Sequence, residues 1–324
     1  MKVFRALAAV VLAASFLVGC GSTPLAERPI YKLTPAQVDE RLSHYQAFQP
    51  VLNERVIEIA RANLKQPYDI YLLGEAPFET IDKQPIYNLH KSDCVVFVEH
   101  TLAMALSDDF SSFLRMLQRI RYRDGEIGVR TRNHYSEVDW NVNNQWLVHE
   151  ITDELAGGNV KHYKSVVNRK AFFKNRYKID VDVPKETTTQ SYIPFESIGQ
   201  IKSQLRTGDV VNFVKGTSDT SAWVHHMGFV AVMPDGQVHL IHSTKPRVKE
   251  ETIEAFIANN TKNNAKNDSL GKPRHRGFKF FRLTEDPIAK LKEIDGADAP
   301  RVTIPAESPL TFDAYVEQQV TAGK

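Results

Sequence analysis

The chain has 324 residues, 42% hydrophobic and 25% charged, which excludes a disordered, collagen-like or disulfide-stapled protein and permits a substantial core. Of its 41 basic residues, Lys2 and Arg5 lie in an apolar leader, and without them the basic residues equal the 39 acidic ones. No cluster of Lys and Arg interleaved with aromatics tracks a phosphate backbone, so nucleic acid is excluded as a partner class.

Met1 to Arg5 precede an apolar run, Ala6 to Val18, that ends in small residues. It is shorter than the roughly 20 residues of a membrane span, so residues 1–19 read as a cleaved signal peptide. Leu17-Val18-Gly19-Cys20 resembles the bacterial lipobox. That resemblance implies lipid on Cys20 as the membrane anchor and, with Gly21 and no acidic residue following, an outer-membrane lipoprotein facing the periplasm. Residues 20–30 are small and Pro-containing and read as a lipidated tether. A lipidated Cys20 cannot pair with Cys94, the second of two cysteines. An exported protein then keeps one unpaired thiol, either a small buried hydrophobe or a reactive group.

Residues 31–64 form a helical N-terminal segment: Thr34-Pro35 supplies a cap and a first-turn proline, and Leu52, Val56, Ile59 and Ala60 share one helix face. Lys65 to Asp93 reads as an exposed loop. Ser92-Asp93 then caps a helix in which Val95, Val96, Val98, Leu102, Ala105 and Leu106 recur at helical intervals. Cys94 falls in its first turn, where the macrodipole and free N–H groups are expected to lower the thiol pKa. Another helix runs from about Asp109 to Arg121.

The stretch from Arg130 to Trp146 is dense in Arg, Asn, His, Tyr and Trp. It suits sugar or peptide recognition and equally suits a polar loop held by its own hydrogen bonds. From Gly208 strands dominate, at Asp209–Val214, His225–Met233, Val238–Thr244 and Gly277–Leu283. Helices first and an antiparallel sheet after make an α+β fold. Asn259–Gly271 reads as a mobile loop, and residues 285–324 as a tail with little pattern.

Cysteine catalysis needs a thiolate, an imidazole to carry protons, a third group to hold the imidazole, and oxyanion donors. Strand alternation puts His226, Gly228 and Val230 on one face and His225, Met227 and Phe229 on the other. Gly228 leaves space beside His226, which favours His226 over His225. His242 on the next strand is placed to orient His226. A zinc amidase built from His134, His225, His226, His239 or His242 lacks a compact ligand spacing, so no metal and no cofactor are expected.

The ordered segments from Gln66-Pro67-Tyr68 through Asp93-Cys94, Arg132-Asn133-His134-Tyr135, Gly208-Asp209-Val210, His226-Met227-Gly228 and Leu240-Ile241-His242 to Arg282-Leu283 together resemble the NlpC-type, papain-like cysteine hydrolases of bacterial cell walls. The match is closer to their N-acetylmuramoyl-L-alanine amidase-like lipoprotein branch, since Val95-Val96 stand where many relatives have Ser-Gly. The resemblance implies a papain-like domain over residues 65–284 acting on peptidoglycan or muropeptide. It implies Cys94 as nucleophile, with its backbone N–H as an oxyanion donor, His226 as general base and acid, and His242 as its orienting residue. Tyr68, Arg132, His134 and Trp140 are the substrate-binding residues expected on this reading. An endopeptidase cutting between γ-D-Glu and diaminopimelate, or a non-catalytic peptidoglycan-binding lipoprotein, would present the same sequence features.

Overall fold

Thr34 and Gln37 cap each other reciprocally at the start of α1 (Pro35–Phe48), where first-turn backbone N–H groups would otherwise lack partners. The structure, a computed structural model, describes residues 24–218 and 220–322; the signal peptide and Cys20 lie outside the described residues. The end of the expected tether is folded: Ile30 is buried, and Arg41 of α1 donates to the Leu25 carbonyl. Among the described residues no helix is long and apolar enough to cross a membrane.

α2 (Leu52–Ala62), α3 (Cys94–Ala105) and α4 (Phe110–Arg121) form the helical layer. Every residue of α3 from Val96 to Ala105 is buried, as suits a largely apolar helix, and its one carboxylate, Glu99, pairs with Arg121 of α4 at 3.2 Å. The helix packs between α2, α4 and the sheet. The loop over residues 65–93 is irregular as expected but not uniformly exposed, since Glu75, Phe78 and Ile86 are buried.

Eight strands form the antiparallel sheet: β1 (Val148–Glu150), β2 (Lys161–Val167), β3 (Glu186–Pro194), β4 (Val210–Gly216), β5 (Ala222–Val232), β6 (Val238–Thr244), β7 (Arg247–Thr252) and β8 (Arg274–Leu283). Their order is β2-β3-β8-β4-β5-β6-β7, with β1 also paired to β8. Both faces are covered. Met227, Phe229 and Ile241 join the helical core; Phe213, Val230 and Leu240 join a second core on the opposite face, as the period of two requires. A further helix, α5 (Arg169–Tyr177), connects β2 to β3.

Two expectations are corrected. Asn259–Gly271 is not a mobile loop but mostly part of α6 (Ile253–Ser269). Thr252 caps this helix, and its asparagines bind backbone: Asn260 donates to the Phe256 carbonyl, while Asn264 both donates to the His275 carbonyl and accepts from its N–H. The C-terminal tail carries α7 (Pro287–Asp295) and α8 (Phe312–Ala322). Asp295 pairs at 2.9 Å with buried Arg119 of α4, and Phe312 and Tyr315 pack on Phe78.

Candidate active site

Asp93 Oδ1 accepts the Val96 N–H at 2.8 Å, fixing Cys94 as the first residue of α3. The turn before it is stitched to the sheet. Ser92 Oγ lies 3.0 Å from Ser243 Oγ, and Ser243 Oγ donates to the Ser92 carbonyl at 2.9 Å. Because Ser243 follows His242, this pair ties the cysteine's helix to the strand of the second histidine. Cys94, His225 and His226 line one cavity of about 440 Å³.

The expected depression of the thiol pKa is not what the site produces. Burial pushes the Cys94 thiol up to about 12, and the adjacent Asp93 carboxylate adds to the rise; the N–H groups of Met227, Val95 and Cys94 itself oppose it without prevailing. Desolvation outweighs the helix terminus. The resting thiol is protonated at neutral pH.

β5 reaches the cavity through a bulge. Phe213 of β4 faces His226 and Val214 faces Val224, so His225 is the extra residue. A bulge breaks strict alternation and re-aims side chains, and both histidines reach the cavity although regular pleating would separate them. Their bonds then distinguish them. His225 Nδ1 is held by the Phe213 carbonyl at 2.9 Å, whereas His226 Nε2 lies 2.7 Å from His242 Nδ1. Gly228 allows this approach, because a Cβ there would stand 2.8 Å from the Cβ of His242 and 2.6 Å from the Ile241 carbonyl oxygen.

The chain continues to Glu251 of β7, whose Oε1 lies 2.9 Å from His242 Nε2 and 2.6 Å from Lys249 Nζ. Burial raises the Glu251 carboxyl, but the hydrogen bonds from His242 and Lys249 outweigh it and hold the group below the usual carboxylate range. Burial keeps both imidazoles neutral: His226 sits well below its ordinary pKa, through burial first and then His242, and His242 is lowered by burial against the pull of Glu251. An ionised carboxylate only accepts, so His242 carries its proton on Nε2. His242 Nδ1 then accepts from His226 Nε2–H, leaving His226 Nδ1 with a free lone pair. Glu251 thus sets the tautomer of His226 through His242.

Sequence reasoning missed Glu251. Its strand, Arg247–Thr252, reads as a charged surface segment, and only the register, with His242 opposite Lys249 and Leu240 opposite Glu251, brings the acid diagonally to the histidine. Glu137 was missed too. It lies in a π-helical turn, Ser136–Trp140, lines the Cys94 cavity, and accepts from Val224 N–H at 2.7 Å and Tyr163 Oη at 3.1 Å.

The expected binding residues divide. Tyr68 lines a second opening of about 360 Å³ with His226, His242 and Glu251; burial first, then Cys94 and Asp93, raises its phenol to about 12. His134 lines the Cys94 cavity, bound through Nε2 to the Val129 carbonyl at 2.7 Å and packed on Phe172 and Phe173. Arg132 is 8% exposed and does not line that cavity. It donates to the Leu73 carbonyl, pairs with Glu75 and Asp82 at 3.3 and 3.0 Å, and meets Tyr177 Oη. Trp140, 1% exposed, belongs to the helical core, which corrects its expected place against substrate: the apolar ring is buried between layers. Among the described residues no group of three or more His, Cys, Asp or Glu could hold a metal ion.

A Legionella pneumophila protein of known structure superposes on 76% of this chain and 94% of its own, with a TM-score of 0.64 and 18% identity. An N-acetylmuramoyl-L-alanine amidase from Bacteroides uniformis superposes over 72% of this chain and 99% of its own, with a TM-score of 0.55 and 20% identity. At these identities the likeness is one of fold. No curated protein matches the chain. The family model described as AmiA-like, N-acetylmuramoyl-L-alanine amidase-like, matches residues 58–265, more than half of the sequence and the whole segment that holds Cys94, His226, His242 and Glu251, and to that family this chain belongs.

Proposed function

We propose that the protein is a papain-like, NlpC-type cysteine amidase that hydrolyses the N-acetylmuramoyl-L-alanine bond of muropeptides, anchored in the outer membrane through lipid on Cys20. The observation that carries this reading is the hydrogen-bonded series His226–His242–Glu251 opening on the cavity of a helix-start cysteine in a member of an amidase-like family.

In this mechanism the neutral thiol is activated during attack rather than beforehand. His226 Nδ1 takes the Sγ proton as sulfur bonds to the lactyl carbonyl carbon, and the backbone N–H of Cys94 faces the developing oxyanion. Imidazolium forms on His226 and is stabilised through His242 by Glu251. His226 then gives the proton to the leaving L-Ala amine as the C–N bond breaks. Water attacks the thioester with His226 again as base, releasing the lactyl carboxylate and the free thiol. Tyr68 and His134, on the two openings that share His226, contact the substrate.

The test is mass spectrometry of muropeptides incubated with the full chain in detergent and with its Cys94→Ala variant. Release of a stem peptide beginning with L-Ala, lost in the variant, is the expected outcome. Cleavage after γ-D-Glu instead assigns an endopeptidase, and no cysteine-dependent cleavage assigns a binding protein.

A further inference from the structure

Beside the catalytic cavity lies another of about 340 Å³, and His134 and Tyr135 form a wall common to both. Its charge is one-sided: Arg123, Arg130, Arg132 and Arg169 line it against a single carboxylate, Asp139. Arg132 is neutralised by Glu75 and Asp82, and Arg169 by Asp139 and Glu186. Asp139 also accepts the Tyr135 N–H at 3.0 Å. Arg123 and Arg130 are exposed, and among the described residues their guanidinium groups have no hydrogen-bond or ion-pair partner.

The loop that carries these two arginines is closed on itself. Arg123 N–H donates to the Thr131 carbonyl at 2.9 Å, Arg132 N–H to the Gly128 carbonyl at 3.0 Å, and Asn133 N–H to the Arg121 carbonyl at 3.0 Å. Asn143 Nδ2 braces it through Asn133 Oδ1 at 2.7 Å. Two unpaired cations on a braced loop, in a concave site beside a catalytic cavity, attract and orient an anion.

We propose that this cavity is the subsite for the carboxylates of the peptide half of the substrate, with Arg123 and Arg130 as their donors. The proposal rests on the muropeptide reading and adds a direction to it. Once its lactyl carboxyl is in the amide, the muramyl half is uncharged, whereas the stem beyond L-Ala carries the free carboxyls of D-Glu and of the residue after it. The arginine cavity therefore takes the leaving peptide, and the muramyl group extends the other way from Cys94.

The experiment uses the full chain in detergent with Arg123→Gln, Arg130→Gln and the double variant. Steady-state kinetics are compared on a muramyl tripeptide and on muramyl-L-Ala amide, which lacks the stem carboxyls. KM for the tripeptide should rise about tenfold per arginine, the size of one charge-assisted hydrogen bond, while kcat holds and the amide substrate shows no such rise. An unchanged tripeptide KM, or an equal rise on both substrates, overturns the proposal. Calorimetric binding of the free stem tripeptide to the Cys94→Ala protein and to its double-arginine derivative decides the matter independently of cleavage. Binding that weakens in the derivative upholds the anion subsite even where no muropeptide is cut, and binding that is absent or unmoved overturns it.

Discussion

His226 and Arg132 are both polar side chains expected to meet substrate, and the fold turns them in opposite directions. On β5 to β7 His226, His242 and Glu251 bind one another in series, and His226, whose Nδ1 has no hydrogen-bond partner among the described residues, lines the Cys94 cavity. At the two ends of the Arg132–Trp140 segment they are consumed by the interior, although His134 and Glu137 between them line the Cys94 cavity: Arg132 joins Glu75, Asp82 and Leu73, and Trp140 fills the core. Residue type is the same in kind; the difference is where each residue's last hydrogen-bonding valence points. Arg132 Nε and Trp140 Nε1 also lack a partner, but they are enclosed; a polar atom shut inside protein holds structure at most, and one with a free valence on a cavity is available for chemistry.

The largest expected effect lies on the first side of this comparison. In the proposed mechanism His226→Ala removes the base and acid of both half-reactions, so kcat/KM on a muramyl peptide should fall by about 10³ or more, with the urea unfolding midpoint close to wild type. Retention of activity within tenfold would move the catalytic role elsewhere, His225 being the neighbour to test.

Arg132→Met probes the second side. It leaves two carboxyls of the buried cluster unpaired, and Glu75 is already raised to about 7 by burial, against the pull of Arg132 and Arg121. Breaking such a buried pair costs about 3–5 kcal/mol, to be read from equilibrium urea unfolding, while kcat of the folded fraction stays near wild type. A normal unfolding curve with lowered kcat would erase the contrast between the two regions.

Alkylation of Cys94 sharpens the catalytic side further. With the thiol near 12, its thiolate share rises tenfold per pH unit below that value, so iodoacetamide should react slowly at pH 7 and faster at each step to pH 10 without a plateau. A plateau near pH 6 to 7 would mean that the helix terminus outweighs burial after all.

What the sequence made legible follows from the range of each interaction. Thr34 and Asp93 are caps, recognisable within four residues, and both helices begin where those caps predict. β4 to β6 announce themselves as short runs rich in apolar and β-branched residues, buried on both faces. The bulge at His225 does not, because it is a property of pairing with Phe213, and α6 does not, because Asn264 gains its helical place from the backbone of His275 on β8. The placement of Arg132 depends on Glu75 and Asp82, about fifty residues earlier in the chain. Local signals thus locate the cysteine and the histidines, while the satisfied or free state of each polar group is set by long-range contacts that no window of sequence contains.

Glu251→Gln tests the subtlest of those contacts and should have the smallest effect, a fall in kcat of about tenfold with KM unchanged. Glutamine can offer His242 Nε2 either an oxygen or an N–H. In the second arrangement the relay reverses: His242 Nδ1–H donates to His226 Nε2, and His226 Nδ1 becomes protonated and useless as a base. The carboxylate forbids that state, because it cannot donate. Its removal also takes away the influence that raises the His242 pKa, so the acidic limb of the kcat profile should move to lower pH. A purely structural role for Glu251 would lower stability and leave that limb in place. Wild-type kcat with an unmoved limb would show that geometry alone holds the two rings, with Lys249 and Glu251 serving only the β6–β7 edge.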